Sequence, residues 1–159
     1  MKGNAGMNRR TSAPNSRRQA RSKAHSTKLD REVLPIAAGA PERMAGMVAG
    51  IRAGGFLFFS GIRGRNPVTN TIDIDPAVQA RQALRNLEVQ LVDADATLGH
   101  VVKVTLFLQD LEKRDAFHRA WVEFFPINPP ARIAVCVADA NAAPGGNAHY
   151  ALDVIALAP

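Results

Sequence analysis

Gly54-Gly55 separates two apolar runs, Met47-Val48-Ala49-Gly50-Ile51-Arg52-Ala53 and Phe56-Leu57-Phe58-Phe59-Ser60-Gly61. A two-residue Gly-Gly loop supplies the positive φ angles that tight hairpins need, so the pair predicts a hairpin whose second strand is heavily apolar. Such a hairpin commits this part of the chain to a sheet. Asn66-Pro67-Val68-Thr69-Asn70 reads as a loop, and Asp75-Pro76 as an N-cap followed by proline at the first helical position. Ala80, Leu84, Leu87, Leu91 and Ala94 then recur at spacings of three and four, one face of a helix expected to stop near Leu98-Gly99.

Residues 101–108 alternate as a strand, with Val102, Val104, Leu106 and Leu108 expected on one side and Val101, Lys103, Thr105 and Phe107 on the other. A second helix is predicted from about residue 113 to 125, burying Phe117, Ala120, Trp121 and Phe124 until Pro126 and Pro129-Pro130 end it. Strands near 132–138 and 148–157 complete the chain. The order strand–strand–helix–strand–helix–strand–strand gives an α+β sandwich with two helices on one face of a sheet, and no internal repeats.

The net charge of +6 is unevenly spread. Residues 1–32 carry nine Lys and Arg against Asp30 and Glu32, whereas the remaining residues carry 11 basic and 12 acidic side chains. The first segment is rich in Arg, Ser, Asn and Ala and nearly free of large apolar residues before Leu29. It is expected to form a disordered basic tail, because it cannot bury enough surface to offset its ordering entropy. Clustered Lys and Arg would suit a nucleic-acid arm. No aromatic residues interleave to stack on bases, so a solvated extension is the preferred reading and no nucleic-acid partner is expected. An Arg- and Ser-rich start also resembles an organellar transit peptide. Residues 33–159 are expected to form one domain.

The single cysteine, Cys136, leaves no internal disulfide framework and no cysteine zinc site, and it fits a reducing compartment. No apolar run reaches the roughly 18–20 residues of a membrane span, and the N-terminal segment lacks the apolar core of a secretory signal. A cytoplasmic location is the expectation. Four scattered histidines show no metal-ligand spacing, and no cofactor is expected.

Chemistry concentrates at Pro129-Pro130-Ala131-Arg132-Ile133-Ala134-Val135-Cys136-Val137, where an arginine stands at the mouth of an apolar strand. A guanidinium keeps its charge and presents a rigid fork of donors, which suits a bound carboxylate. Four further segments join it in a pattern: Phe56 to Gly61; Gln79-Ala80-Arg81-Gln82-Ala83-Leu84-Arg85-Asn86-Leu87; Val101 to Leu111; and Phe124-Phe125 ahead of Pro130-Ala131-Arg132. From about residue 45 to the C-terminus the chain resembles the YjgF/RidA family.

The resemblance implies a chorismate-mutase-like fold assembled as a homotrimer, with ligand pockets in the clefts between subunits. It implies binding of 2-imino or 2-keto carboxylates, and hydrolysis of 2-imino or enamino acids to 2-keto acids and ammonia. Arg132 matches the family arginine that takes the carboxylate, and Ser60 matches a serine near the pocket. Other positions depart from the active branch. Ala151 stands at the first glutamate of its Glu-hydrophobic-Glu run, Asp153 at the second, Met47 at a tyrosine and Ala134 at a cysteine. A methyl group at position 151 does no acid–base work.

Strand alternation puts residues 149, 151 and 153 on one face, so His149 or Asp153 is the candidate to handle protons in place of the glutamate. Of the two, His149 has the more suitable unperturbed pKa. Cys136 is expected to be a buried, inert thiol, His118 a surface residue and His100 a polar turn residue. Gly145-Gly146 is too short a signal for a phosphate cradle. The leading reading is a protein binding small 2-imino or 2-keto acids, with or without turnover. A non-catalytic carboxylate-binding or regulatory trimer is the alternative, and an endoribonuclease- or translation-inhibitor-like role is a weaker one.

Overall fold

The computed structural model describes residue 1, residues 30–140 and residues 146–159. The disordered-tail reading falls on residues 2–29, and half of the Gly145-Gly146 reading on residue 145, outside the described residues. Six strands form one sheet in the order β1-β2-β3-β6-β4-β5. They are β1 (Arg31–Leu34), β2 (Gly50–Ala53), β3 (Phe56–Ile62), β4 (Val101–Leu108), β5 (Ala131–Cys136) and β6 (Tyr150–Leu157). Among the described strands, only β4 and β5 pair in parallel. Two helices, α1 (Pro76–Asp93) and α2 (Arg114–Phe124), provide the second layer, so the expected two-layer sandwich is present. Strand β1 adds one strand to the expected set and draws Arg31 and Glu32, assigned by composition to the tail, into the sheet.

The hairpin forms where Gly54-Gly55 requires it, with both glycines at positive φ (57° and 80°). In helix α1, the Asp75 carboxylate accepts from Ala77 N at 2.6 Å and Val78 N at 3.2 Å, ahead of Pro76. Ala80, Leu84, Leu87, Leu91 and Ala94 are buried as their spacing predicts.

The helix ends earlier than Gly99. Asp95 adopts φ +61°, Asp95 N donates to Val92 O at 3.0 Å, and Ala96 N donates to Leu91 O at 2.8 Å. This is a Schellman closure with aspartate in the left-handed position, and the Arg52 Nη2 bond to Ala94 O at 3.0 Å secures it. Leu98–His100 is a separate 3-10 turn in which His100 Nδ1 accepts from Thr97 N, the polar turn role expected of it.

Two further expectations are corrected. A register shift between Val101 and Lys103 puts Val101 in the core and leaves Val102 exposed; the bulge interrupts strict alternation. At the end of α2, Phe125 is buried and Phe124 only partly so. The chain leaves the helix there, with Phe125 at φ −124°, ψ 64°, and stacks Phe125 on Trp121 at 4.3 Å.

The core lies between the helices and one sheet face, where Leu57, Phe59, Val104, Leu106, Leu152 and Val154 meet α1 and α2. Cross-strand pairs Val33–Ile51, Ile51–Phe58 and Phe58–Ile155 run along the other face. Val33, Phe56, Phe58, Ile133, Val135 and Leu157 are exposed.

Candidate functional site

Arg132 sits on β5 opposite Val104, which in turn faces Val154 of β6. This row lies on the helix side, so the arginine reaches α2. Its guanidinium carbon stands 4.5 Å from the Trp121 ring centre and 5.9 Å from that of Phe117. Nη2 donates to His118 Nδ1 at 3.3 Å, and Nη1 is buried with no acceptor among the described residues. Burial, and secondarily Arg114, push the Arg132 pKa below its usual value. Arg132 makes no ion pair among the described residues.

A cation stacked on an indole, with a spare donor and a second cation near it, is chemically suited to a carboxylate. His118 is exposed, as expected of it, yet it is part of this arrangement. Its spacing from Arg114 and Trp121 on one helix face was the available signal.

The remaining candidates lie elsewhere. Ala134 and Cys136 follow Arg132 on the same side of β5, opposite Leu106 and Leu108. Cys136 is exposed rather than buried, because β5 is an edge strand that the helices leave largely uncovered. Among the described residues its thiol reaches Gln109 O, at 4.0 Å. Ala151 and Asp153 are on the opposite face of the sheet, across from Phe107 and Thr105. Ala151 is buried and Asp153 exposed.

Ser60 is half-buried at the shift in β3–β6 pairing between Phe59 and Ile62, and its N–H donates to Ala49 O at 2.9 Å. Strand β3 is three strands from β5, about 14 Å at the usual strand spacing. Met47 is exposed and borders a cavity together with Gly61. One chain therefore does not gather Arg132, Ser60, Met47 and Ala151 around a single point.

Sequence alternation fails for His149, which precedes β6 rather than belonging to it. Its Nε2 contacts Ile74 O at 3.2 Å and its Nδ1 contacts Lys113 Nζ at 3.2 Å. With Lys113 donating, Nδ1 is the acceptor and Nε2 carries the proton, so the ring ties together the approaches to α1, α2 and β6. Gln79 completes this knot and was missed in the sequence. Wholly buried, it donates through Nε2 to Asp73 O and Asn147 O and accepts from His149 N at 2.9 Å. Its place on the apolar face of α1, beside Ala80 and Ala83, was the clue.

Among the described residues, no group of three or more His, Cys, Asp or Glu could hold a metal ion, and no helix is long and apolar enough to cross a membrane.

The comparisons with known proteins match this fold and its motifs. A RutC family protein of Pyrococcus horikoshii is 35% identical over 97 residues, which cover 60% of this chain and 77% of the relative. The 2-iminobutanoate/2-iminopropanoate deaminase of Escherichia coli K12 is 33% identical over 102 residues, covering 62% and 80%. The crystal structure of the Rid family protein YyfA from Yersinia pestis superposes with a TM-score of 0.72 at 29% identity, over 80% of this chain and 98% of the other. That of Escherichia coli TdcF with bound serine gives 0.69 at 28% identity, over 77% and 97%. The family model described as Endoribonuclease L-PSP matches residues 37–148. By its matched length, its motifs and its fold, the chain belongs to the endoribonuclease L-PSP family, the YjgF/RidA proteins.

Proposed function

We propose that this protein binds small 2-keto or 2-imino carboxylates through Arg132, in clefts completed between the subunits of a homotrimer. The observation that carries this reading is the Arg132 guanidinium itself, stacked on Trp121 with Nη1 unmatched and no acidic partner among the described residues. The separation of Arg132 from Ser60 and Met47 within one chain supports a pocket completed by a neighbouring copy. So does the apolar sheet face carrying Phe56, Phe58 and Val33. Arg132 would take the carboxylate bidentately, with the ligand's apolar end left to the partner surface.

Hydrolysis is the second reading, favoured by the relative named as an imine deaminase. In that reaction water adds to the C=N carbon, nitrogen gains a proton, and the carbinolamine collapses to a ketone and ammonia. This chain offers little for the proton transfers: Ala151 carries a methyl group, both ring nitrogens of His149 have partners, and Asp153 is on the sheet face away from Arg132. Binding is therefore better supported than turnover.

Calorimetric titration with 2-ketobutyrate tests the reading, with binding expected in the wild type and lost in Arg132→Ala. Equal affinity in the two proteins refutes the anion site. Release of ammonia from 2-iminobutyrate faster than in buffer would establish turnover, and a monomer by light scattering at micromolar concentration would remove the shared cleft.

A further inference from the structure

A cavity of about 250 Å³ lies between residues 41–47, the outgoing end of β3 and the C-terminal half of α1. Arg43, Arg63 and Arg65 line it, against one carboxylate, Glu42. Within one chain Arg63 stands three strands from Arg132, and none of the three arginines is among the residues assigned to the Arg132 cleft, which shares only the Met47 wall with this cavity.

The three arginines are held in place. Arg63 Nε donates to Ala140 O at 2.8 Å, Arg43 Nη1 donates to Gly61 O at 3.3 Å, and Arg65 Nη1 donates to the Asn70 carbonyl. Asn86, only 3% exposed, donates through Nδ2 to the carbonyls of Arg63 and Arg65, each at 2.8 Å. Between those two arginines, Gly64 lies so close to α1 that a Cβ would stand 2.3 Å from Gln79 O. Only glycine permits that approach, so the backbone carrying both side chains is pinned against the helix.

Clustering these cations is unfavourable without an anion. Burial, then Arg63, push the Arg43 pKa down. Burial and Arg65 do the same to Arg63, with Asp139 acting in the opposite direction. Neither Arg43 nor Arg65 makes an ion pair among the described residues. Two donors at the cavity, Arg43 Nε and Gln90 Nε2, are buried without an acceptor among the described residues, and Gln90 is only 3% exposed. A buried amide left unmatched destabilises a fold, whereas leucine would suit the same helical position. Pinned guanidiniums, spare donors and an apolar remainder formed by Met44 and Ile62 together make a preformed oxyanion pocket.

We propose that this cavity binds a small dianion, the phosphate or dicarboxylate portion of a compact metabolite, at a site separate from Arg132. The oxyanion lies among Arg43, Arg63 and Arg65 and accepts from Arg43 Nε and Gln90 Nε2. The apolar part of the ligand rests on Met44 and Ile62.

Calorimetric titration of the full chain at fixed ionic strength tests this, using inorganic phosphate, malonate and, as a control, chloride. Saturable binding of phosphate or malonate is expected. It should weaken roughly tenfold or more in Arg43→Met and in Gln90→Leu, and persist in Arg132→Met. The tighter of the two probes identifies the source of the oxyanion. Gln90→Leu should also raise the Tm of the unliganded protein, an effect that separates lost binding from lost folding. The site is overturned by no saturable binding of either probe, an equal response to chloride, unchanged affinity in a folded Gln90→Leu, or a loss confined to Arg132→Met.

Discussion

Replacing Arg132 with methionine should separate ligand binding from folding. The guanidinium gains a cation–π contact with Trp121, about 0.5–1 kcal/mol at a partly exposed site. The long bond to the exposed His118 adds about 0.5 kcal/mol. Against these stands Nη1, buried without an acceptor, and such a donor costs about 1–3 kcal/mol. Methionine keeps an apolar stem over Trp121 and Phe117 while removing the charge and the unmatched N–H. Taken together, the variant should range from about equal stability to about 2 kcal/mol more stable. Its affinity for 2-ketobutyrate should fall by about 1.5–3 kcal/mol, roughly 10- to 100-fold, the contribution of a charge-assisted bond. Urea denaturation followed by circular dichroism measures the first quantity and calorimetric titration the second. A variant that loses more than about 1.5 kcal/mol of stability yet binds the ketoacid normally would show that Arg132 holds the structure together rather than the ligand.

Gln79→Leu removes three hydrogen bonds from a wholly buried side chain and leaves His149 N, Asp73 O and Asn147 O to find new partners. It should lower stability by about 2–4 kcal/mol in urea denaturation, and wild-type stability would show that the knot is not needed. Tyr150, whose hydroxyl donates to Lys113 O at 2.7 Å, has its pKa raised mainly by burial. Its contribution is intact below the unfolded tyrosine pKa near 10 and declines as pH rises above it. Alkaline loss of Tm should therefore be shallower in Tyr150→Phe, and parallel profiles for the two proteins would contradict that origin.

The sequence makes local chemistry readable where one residue type has one use. Gly54-Gly55 turns, Asp75-Pro76 starts a helix, and the periodic leucines of α1 are buried. Tertiary competition is less visible. Gly99 looked like the helix stop, but Asp95 reaches the left-handed region first, because Ala94 O is capped by Arg52 from a strand 42 residues away. His149 looked like a free base by strand parity, but parity holds only within a strand, and β6 begins one residue later. Cys136 looked buried by its apolar neighbours, and that inference missed the edge position of β5. Arg132 was identifiable, whereas the indole beneath it and the histidine beside it depend on how α2 crosses the sheet.

Because β5 runs parallel to β4, it docks only after the whole α2 crossover has been traversed, unlike the hairpin strands, which find each other across two glycines. Arg132 therefore reaches Trp121 only once that crossover is made, while β6, which pairs Leu157 with Phe56, has a longer loop still to close. A chain delayed at that step leaves the paired edge of β4 open along residues 103–108, a stretch dominated by Val104, Leu106, Phe107 and Leu108. An open apolar strand edge of that kind is a template for pairing with a second chain.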